Sequence, residues 1–170
     1  MTRTRFLSFA IIIALGALLA GCKATNTGST SEAKASKEKV EVFNKDTNGL
    51  ALGGYDAVAY FQAGKAERGS SEFVHEWEGA KWQFASKANR ELFAEAPWKY
   101  APQFGGYCSW AVGHGYTANG DPEAWKIVGG KLYLNYNQDV KKKWEQDEQT
   151  WIEKGDQNWP GLVKNRDEEQ

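Results

Sequence analysis

Phe73-Val74-His75-Glu76-Trp77-Glu78-Gly79-Ala80-Lys81-Trp82-Gln83-Phe84 decides the fold, because it reads as two strands joined by a two-residue turn. Glu78-Gly79 is turn chemistry, and the residues on either side alternate between apolar and polar. A turn of that length sets the register: Trp77 opposite Ala80, Glu76 opposite Lys81, His75 opposite Trp82, and Phe73 opposite Phe84. Phe73, His75, Trp77, Trp82 and Phe84 then share one face, and the opposite-charge pair Glu76–Lys81 lies on the other. A second hairpin follows the same logic. Trp125-Lys126-Ile127-Val128 and Lys131-Leu132-Tyr133-Leu134-Asn135-Tyr136 flank Gly129-Gly130, which predicts a shared face of Trp125, Ile127, Leu132, Leu134 and Tyr136.

Working outward, each hairpin runs into a helix with a polar cap. Ser86 precedes a predicted helix over Lys87–Glu95 that Pro97 stops. Asn137 suits the start of a longer helix from Gln138 to about Lys154, with Val140, Trp144, Trp151 and Ile152 as its buried stripe. Asp56, after Gly53-Gly54-Tyr55, suits the cap of a helical turn through Ala57 to Phe61. Phe104-Gly105-Gly106-Tyr107-Cys108-Ser109-Trp110-Ala111-Val112-Gly113-His114-Gly115 predicts a turn, a short helix beginning near Gly106, and a stop. The fold class is therefore α+β: one small domain with two β-hairpins, short helices and a long C-terminal helix, and no internal repeat beyond the hairpins.

The N-terminal residues set the expected context. Arg3 and Arg5 precede an apolar stretch, Phe6 to Leu19, that is short for a spanning helix. Leu19-Ala20-Gly21-Cys22 follows, and it resembles the lipobox of bacterial lipoproteins. That resemblance implies a signal peptide over residues 1–21, lipidation of Cys22, and a membrane partner held through the lipid. Lys23, where Asp marks inner-membrane retention, favours the outer membrane facing the periplasm. Residues 22–39 are small, polar and charged, which suits a flexible tether. Residues 40–162 suffice for one domain with a core, and residues 163–170 form a charged tail. Taking Arg3 and Arg5 from the 21 Lys and Arg leaves 19 against 22 Asp and Glu, a formal charge of about −3. No basic patch stands out, so nucleic acid is not an expected partner. The aromatics, with all eight tryptophans between Trp77 and Trp159, point first to a tightly packed core.

With Cys22 lipidated, Cys108 is the one remaining thiol, and no intramolecular disulfide can form. If a helix starts near Gly106, its first amides favour the thiolate and lower the thiol pKa. Cys108 is therefore the candidate catalytic nucleophile, and equally a soft-metal ligand. A buried, inert cysteine is the competing interpretation. His114, the candidate second ligand, lies six residues on and reaches the sulfur only if the helix breaks at Gly113. His75, between tryptophans on the hairpin face, suits a core histidine. Asp56 suits a cap better than a general base.

Gly54-Tyr55-Asp56-Ala57-Val58-Ala59-Tyr60-Phe61, Trp82-Gln83-Phe84-Ala85-Ser86 with Asn89, Phe93 and Tyr100, and Gly105-Gly106-Tyr107-Cys108 together resemble the YHS domain. They are most similar to the bacterial exported YHS-domain (seleno)protein group, from about Leu50 to Leu162. The resemblance implies a small domain that binds a soft, copper-like metal ion. The family's other cysteines are absent: Ala57-Val58 and Ala85-Ser86-Lys87-Ala88 stand where they would be. Some members of the group place selenocysteine where Cys108 lies, which implies a reactive nucleophile or a soft ligand. Three functions follow as expectations: metal handling by Cys108 with His114, thiol redox chemistry on a small thiol or peroxide, and non-catalytic binding of an envelope partner.

Overall fold

The computed structural model describes residues 40–164. The expected signal peptide, Cys22 and its tether, and residues 165–170 of the expected tail lie outside the described residues. Strands β1 (Ser70–Trp77) and β2 (Ala80–Phe84) form the first antiparallel hairpin, and β3 (Asp121–Val128) and β4 (Lys131–Asn135) the second. The helices are α1 (Ala59–Gln62), α2 (Lys87–Glu95), α3 (Pro97–Tyr100), α4 (Ser109–Gly113), α5 (Gln138–Trp144) and α6 (Glu148–Leu162). This is the expected α+β domain with two hairpins, short helices and a C-terminal helical run.

The registers hold near each turn, with Trp77 opposite Ala80, His75 opposite Trp82, Val128 opposite Lys131 and Trp125 opposite Leu134. Both then slip through a bulge. Phe84 pairs with Ser70, not Phe73, and Asn135 pairs with Asp121. A bulge lets the longer strand bend around the core it covers. Both caps form as expected: Ser86 Oγ accepts from the Asn89 amide at 3.1 Å and Asn137 Oδ1 from the Val140 amide at 2.9 Å. The C-terminal run differs in two ways. A 3-10 turn at Glu145–Asp147 divides it, and it continues to Leu162. Val163 and Lys164, expected in the tail, instead pair with Val40: Val40 N–H donates to Leu162 O and Lys164 N–H to Val40 O, both at 2.9 Å.

The hairpins belong to two copies of one larger unit, which corrects the expectation of no further repeat. Each copy opens on a tight left-handed turn: Leu52, Gly53 and Gly54 have φ of 53°, 56° and 82°, and Phe104, Gly105 and Gly106 have 52°, 59° and 80°. A tyrosine follows each turn, and Tyr55 bridges Arg68 as Tyr107 bridges Asn119. Next come Asp56 and Cys108, whose amides donate to Glu67 O and Ala118 O, both at 2.8 Å. A short helix, a bulged hairpin and a capped helix complete each copy. Phe93 on α2 packs on Trp82 and Phe84 with ring centroids at 4.8 and 5.1 Å, and its counterpart Trp144 on α5 packs on Tyr133 at 5.6 Å.

The copies dock unequally through β4. Tyr133 faces the second core with Phe104, Val112, Trp144 and Ile152. Leu132 and Leu134, on the opposite face, complete the first core with Phe43, Trp82 and Phe84. That is why β4 is buried on both sides and lacks a solvent face. Tyr136, predicted to share the face of Leu132 and Leu134, lies beyond the strand and is exposed. Among the described residues no helix is long and apolar enough to cross a membrane.

Candidate functional site

The repeat explains the site from its first residue. In the first copy Asp56 is fully buried, and its carboxylate collects four N–H donors. Oδ1 accepts from Val58 N at 2.8 Å and Ala59 N at 3.2 Å, capping the turn that leads into α1. Oδ2 accepts from Ala85 N at 2.8 Å and Asn89 Nδ2 at 2.7 Å, tying the cap to the strand-to-helix junction. Such a cage repays the desolvation of a buried anion.

Cys108 occupies the same place in the second copy, at the N-cap position of α4. The backbone N–H groups of Ala111 and Tyr136 lie toward its sulfur, and that of Trp110 lies near it while donating to Asn135 Oδ1. These residues correspond to Ala59, Ala85 and Val58 around Asp56. Val140 replaces Asn89, so the fourth donor is gone. Burial is the largest influence on the thiol and pushes its pKa up; the amides of Ala111, Tyr136 and Trp110 pull it down by less. The expectation of a lowered pKa fails for that reason. The helix is short and its thiol is 1% exposed, so desolvation of the anion outweighs the amides.

Cys108 also walls a pocket of about 270 Å3 whose other lining includes Trp110, Tyr116, Ala118, Tyr136 and Val140. Tyr116 and Tyr136 are among the exposed large side chains and rim it. Behind the sulfur lies Asn135, fully buried, with Oδ1 at 4.0 Å from Sγ and at 3.3 Å from the Trp110 amide that donates to it. Asn135 was not foreseen as a site residue. Its signal was available as a lone amide side chain at the end of an otherwise apolar strand.

His114 is held elsewhere. It ends α4, its Nδ1 lies 2.7 Å from Trp110 O, and its ring stacks on Trp151 of α6 at 4.3 Å. A carbonyl only accepts, so Nδ1 carries the proton of that bond. Helix α4 runs intact through Gly113, and its two ends serve different neighbours: Cys108 meets β4 and His114 meets α6. The expected Cys108–His114 pair is not assembled. His75 is half-buried with its ring edge-on to Phe93 at 5.9 Å, a packing role. Among the described residues no group of three or more His, Cys, Asp or Glu lies together. A closed tetrahedral metal site therefore does not fit here, whereas one buried thiol on a residue that borders a pocket fits a soft ion of low coordination number.

Neither a family model, nor a curated protein, nor a solved structure matches this chain. Fold and site together define a small α+β domain of two hairpin-and-helix units, with a pocket bordered by Cys108 in the second.

Proposed function

We propose that this chain is a lipid-anchored domain of the cell envelope, similar to the YHS-domain group, that handles a soft univalent metal ion such as Cu(I) through Cys108. Cys22 carries the anchor in this proposal, and the domain faces the periplasm from the outer membrane. The observation that carries the metal-handling role is the position of Cys108: its thiol is desolvated, the residue borders a pocket, and it stands at the site that holds a carboxylate in the first unit. Peroxide or disulfide chemistry calls for a standing thiolate. Burial raises the thiol pKa and disfavours that species. A univalent soft ion instead displaces the thiol proton and leaves a neutral metal–sulfur unit, which avoids the cost of a buried net charge. The amides of Ala111 and Tyr136 then support the negative end of that unit. With His114 committed to Trp110 and Trp151, the second ligand comes from a small molecule in the pocket.

Titration with Cu(I) under reducing conditions against a chromophoric chelator tests this. One ion per chain is expected for the wild type and none of comparable affinity for Cys108→Ala. Equal affinity in the two proteins rules out the assignment.

A further inference from the structure

Around Cys108 the second unit differs from the first at three positions that are apolar in the first. Ala57, Phe84 and Phe93 belong to one core there, and the two phenylalanine rings touch at 5.1 Å. Their counterparts are Ser109, Asn135 and Trp144, each essentially without solvent exposure. Ser109 Oγ, Asn135 Nδ2 and Trp144 Nε1 have no hydrogen-bond partner in the protein. The elements that carry them, α4, β4 and α5, pack against one another. Asn135 shares the β4 face of Tyr133, whose ring contacts Trp144, and Ser109 lies one helical turn before Val112 in the same core. Three unpartnered polar side chains thus stand where the sister unit packs hydrocarbon.

Valence sets what belongs among them. An indole N–H and an amide NH2 only donate, so Asn135 Nδ2 and Trp144 Nε1 cannot satisfy each other. Ser109 Oγ has two lone pairs, enough for both donors, yet it bonds to neither of them directly. Asn135 cannot flip to cure this, because its Oδ1 is engaged with the Trp110 amide at 3.3 Å. We infer that the corner behind Cys108 binds one buried water molecule between Ser109 Oγ, Asn135 Nδ2 and Trp144 Nε1. Its two lone pairs accept from Asn135 and Trp144, and one of its protons goes to Ser109. Three polar partners suit a structural water. The water holds the Asn135 carboxamide in the orientation that aims Oδ1 at Trp110 N and Cys108 Sγ. This site stands apart from the metal proposal and survives its failure.

The test is water–amide NOE and ROE spectroscopy on the full-length, 15N-labelled protein, read at the Trp144 indole N–H, which Trp144→Phe identifies by its disappearance. A cross-peak at the water frequency is expected, with NOE and ROE of opposite sign, the mark of a long-lived direct contact. It persists in Ser109→Ala, because Asn135 and Trp144 still hold the water. Absence of the cross-peak in the wild type overturns the inference. So does its loss in Ser109→Ala, which marks a signal relayed through the hydroxyl.

Discussion

At the scale of single residues, Asp56 and Cys108 show one backbone cradle given two chemistries. The Asp56 carboxylate is saturated by four donors, so it has no capacity left for catalysis and serves as a cross-link. Asp56→Asn is expected to cost about 2–4 kcal/mol, because an amide nitrogen must then face donors on one side or the other. Urea unfolding measures it, and a loss under about 0.5 kcal/mol would show that the cage does not depend on charge. Cys108 is the opposite case, with fewer donors and a raised pKa. Its alkylation rate is expected to rise with a midpoint above the ordinary thiol value near 9; a midpoint below that value contradicts the burial argument. The stability consequence has a definite sign. The unfolded chain loses the thiol proton first, so this group's contribution is intact below about pH 9 and is lost as pH rises toward the folded pKa. The sequence made Cys108 visible as a lone thiol, and Asp56 as a cap. It did not reveal that the two are counterparts, because the surrounding side chains differ at most positions and the longest recurring run is the Gly-Gly-Tyr triplet.

At the scale of elements, the repeated left-handed turn offers a matched pair of glycines. Gly53 and Gly105 have φ of 56° and 59°, so alanine strains both backbones alike. Their surroundings differ: a Cβ on Gly53 meets nothing within 4 Å, whereas one on Gly105 collides with the backbone oxygen of Val42. Gly53→Ala is therefore expected to cost about 1 kcal/mol and Gly105→Ala at least twice that. Equal shifts in thermal midpoint would mean that the segment at Val42 yields freely. The Gly105 contact is long-range, which is why no local reading of the sequence anticipates it. The hairpins were legible, because a two-residue turn and a period of two together specify a register. The bulges were not, since they answer to the curvature of the core. The two-sided burial of β4 was hidden for a related reason: Leu132 and Leu134 serve a core built mainly by the other unit. The break at Glu145–Asp147 follows from Asp147, which leaves helical geometry with φ −153°, in a stretch whose composition favours a continuous helix.

At the scale of the whole molecule, the question is whether two similar units are two folding units. Each has its own core aromatic, Phe93 or Trp144, and its own hairpin. The ends of the described chain are clasped, with Val40 paired to Val163 and Glu41 bridged to Lys164 at 2.6 Å. Strand β4 makes the stronger link, because its two faces belong to different cores. Neither core closes without it, so the units are expected to unfold together. Phe93→Ala, which empties the centre of the first core, should cost about 3–5 kcal/mol. In a coupled fold that loss must reach the second unit. Native-state hydrogen exchange can read both units in one experiment: protection of the Leu132–Asn135 amides should fall along with that of Trp82–Phe84. If β4 instead keeps its wild-type protection while β2 loses its own, the units are independent, and the repeat is two domains in contact. The coupled outcome has a bearing on the site. Cys108 and Asn135 are held by α4 and β4, so the stiffness of the thiol pocket would depend on aromatic packing in a unit that never touches it.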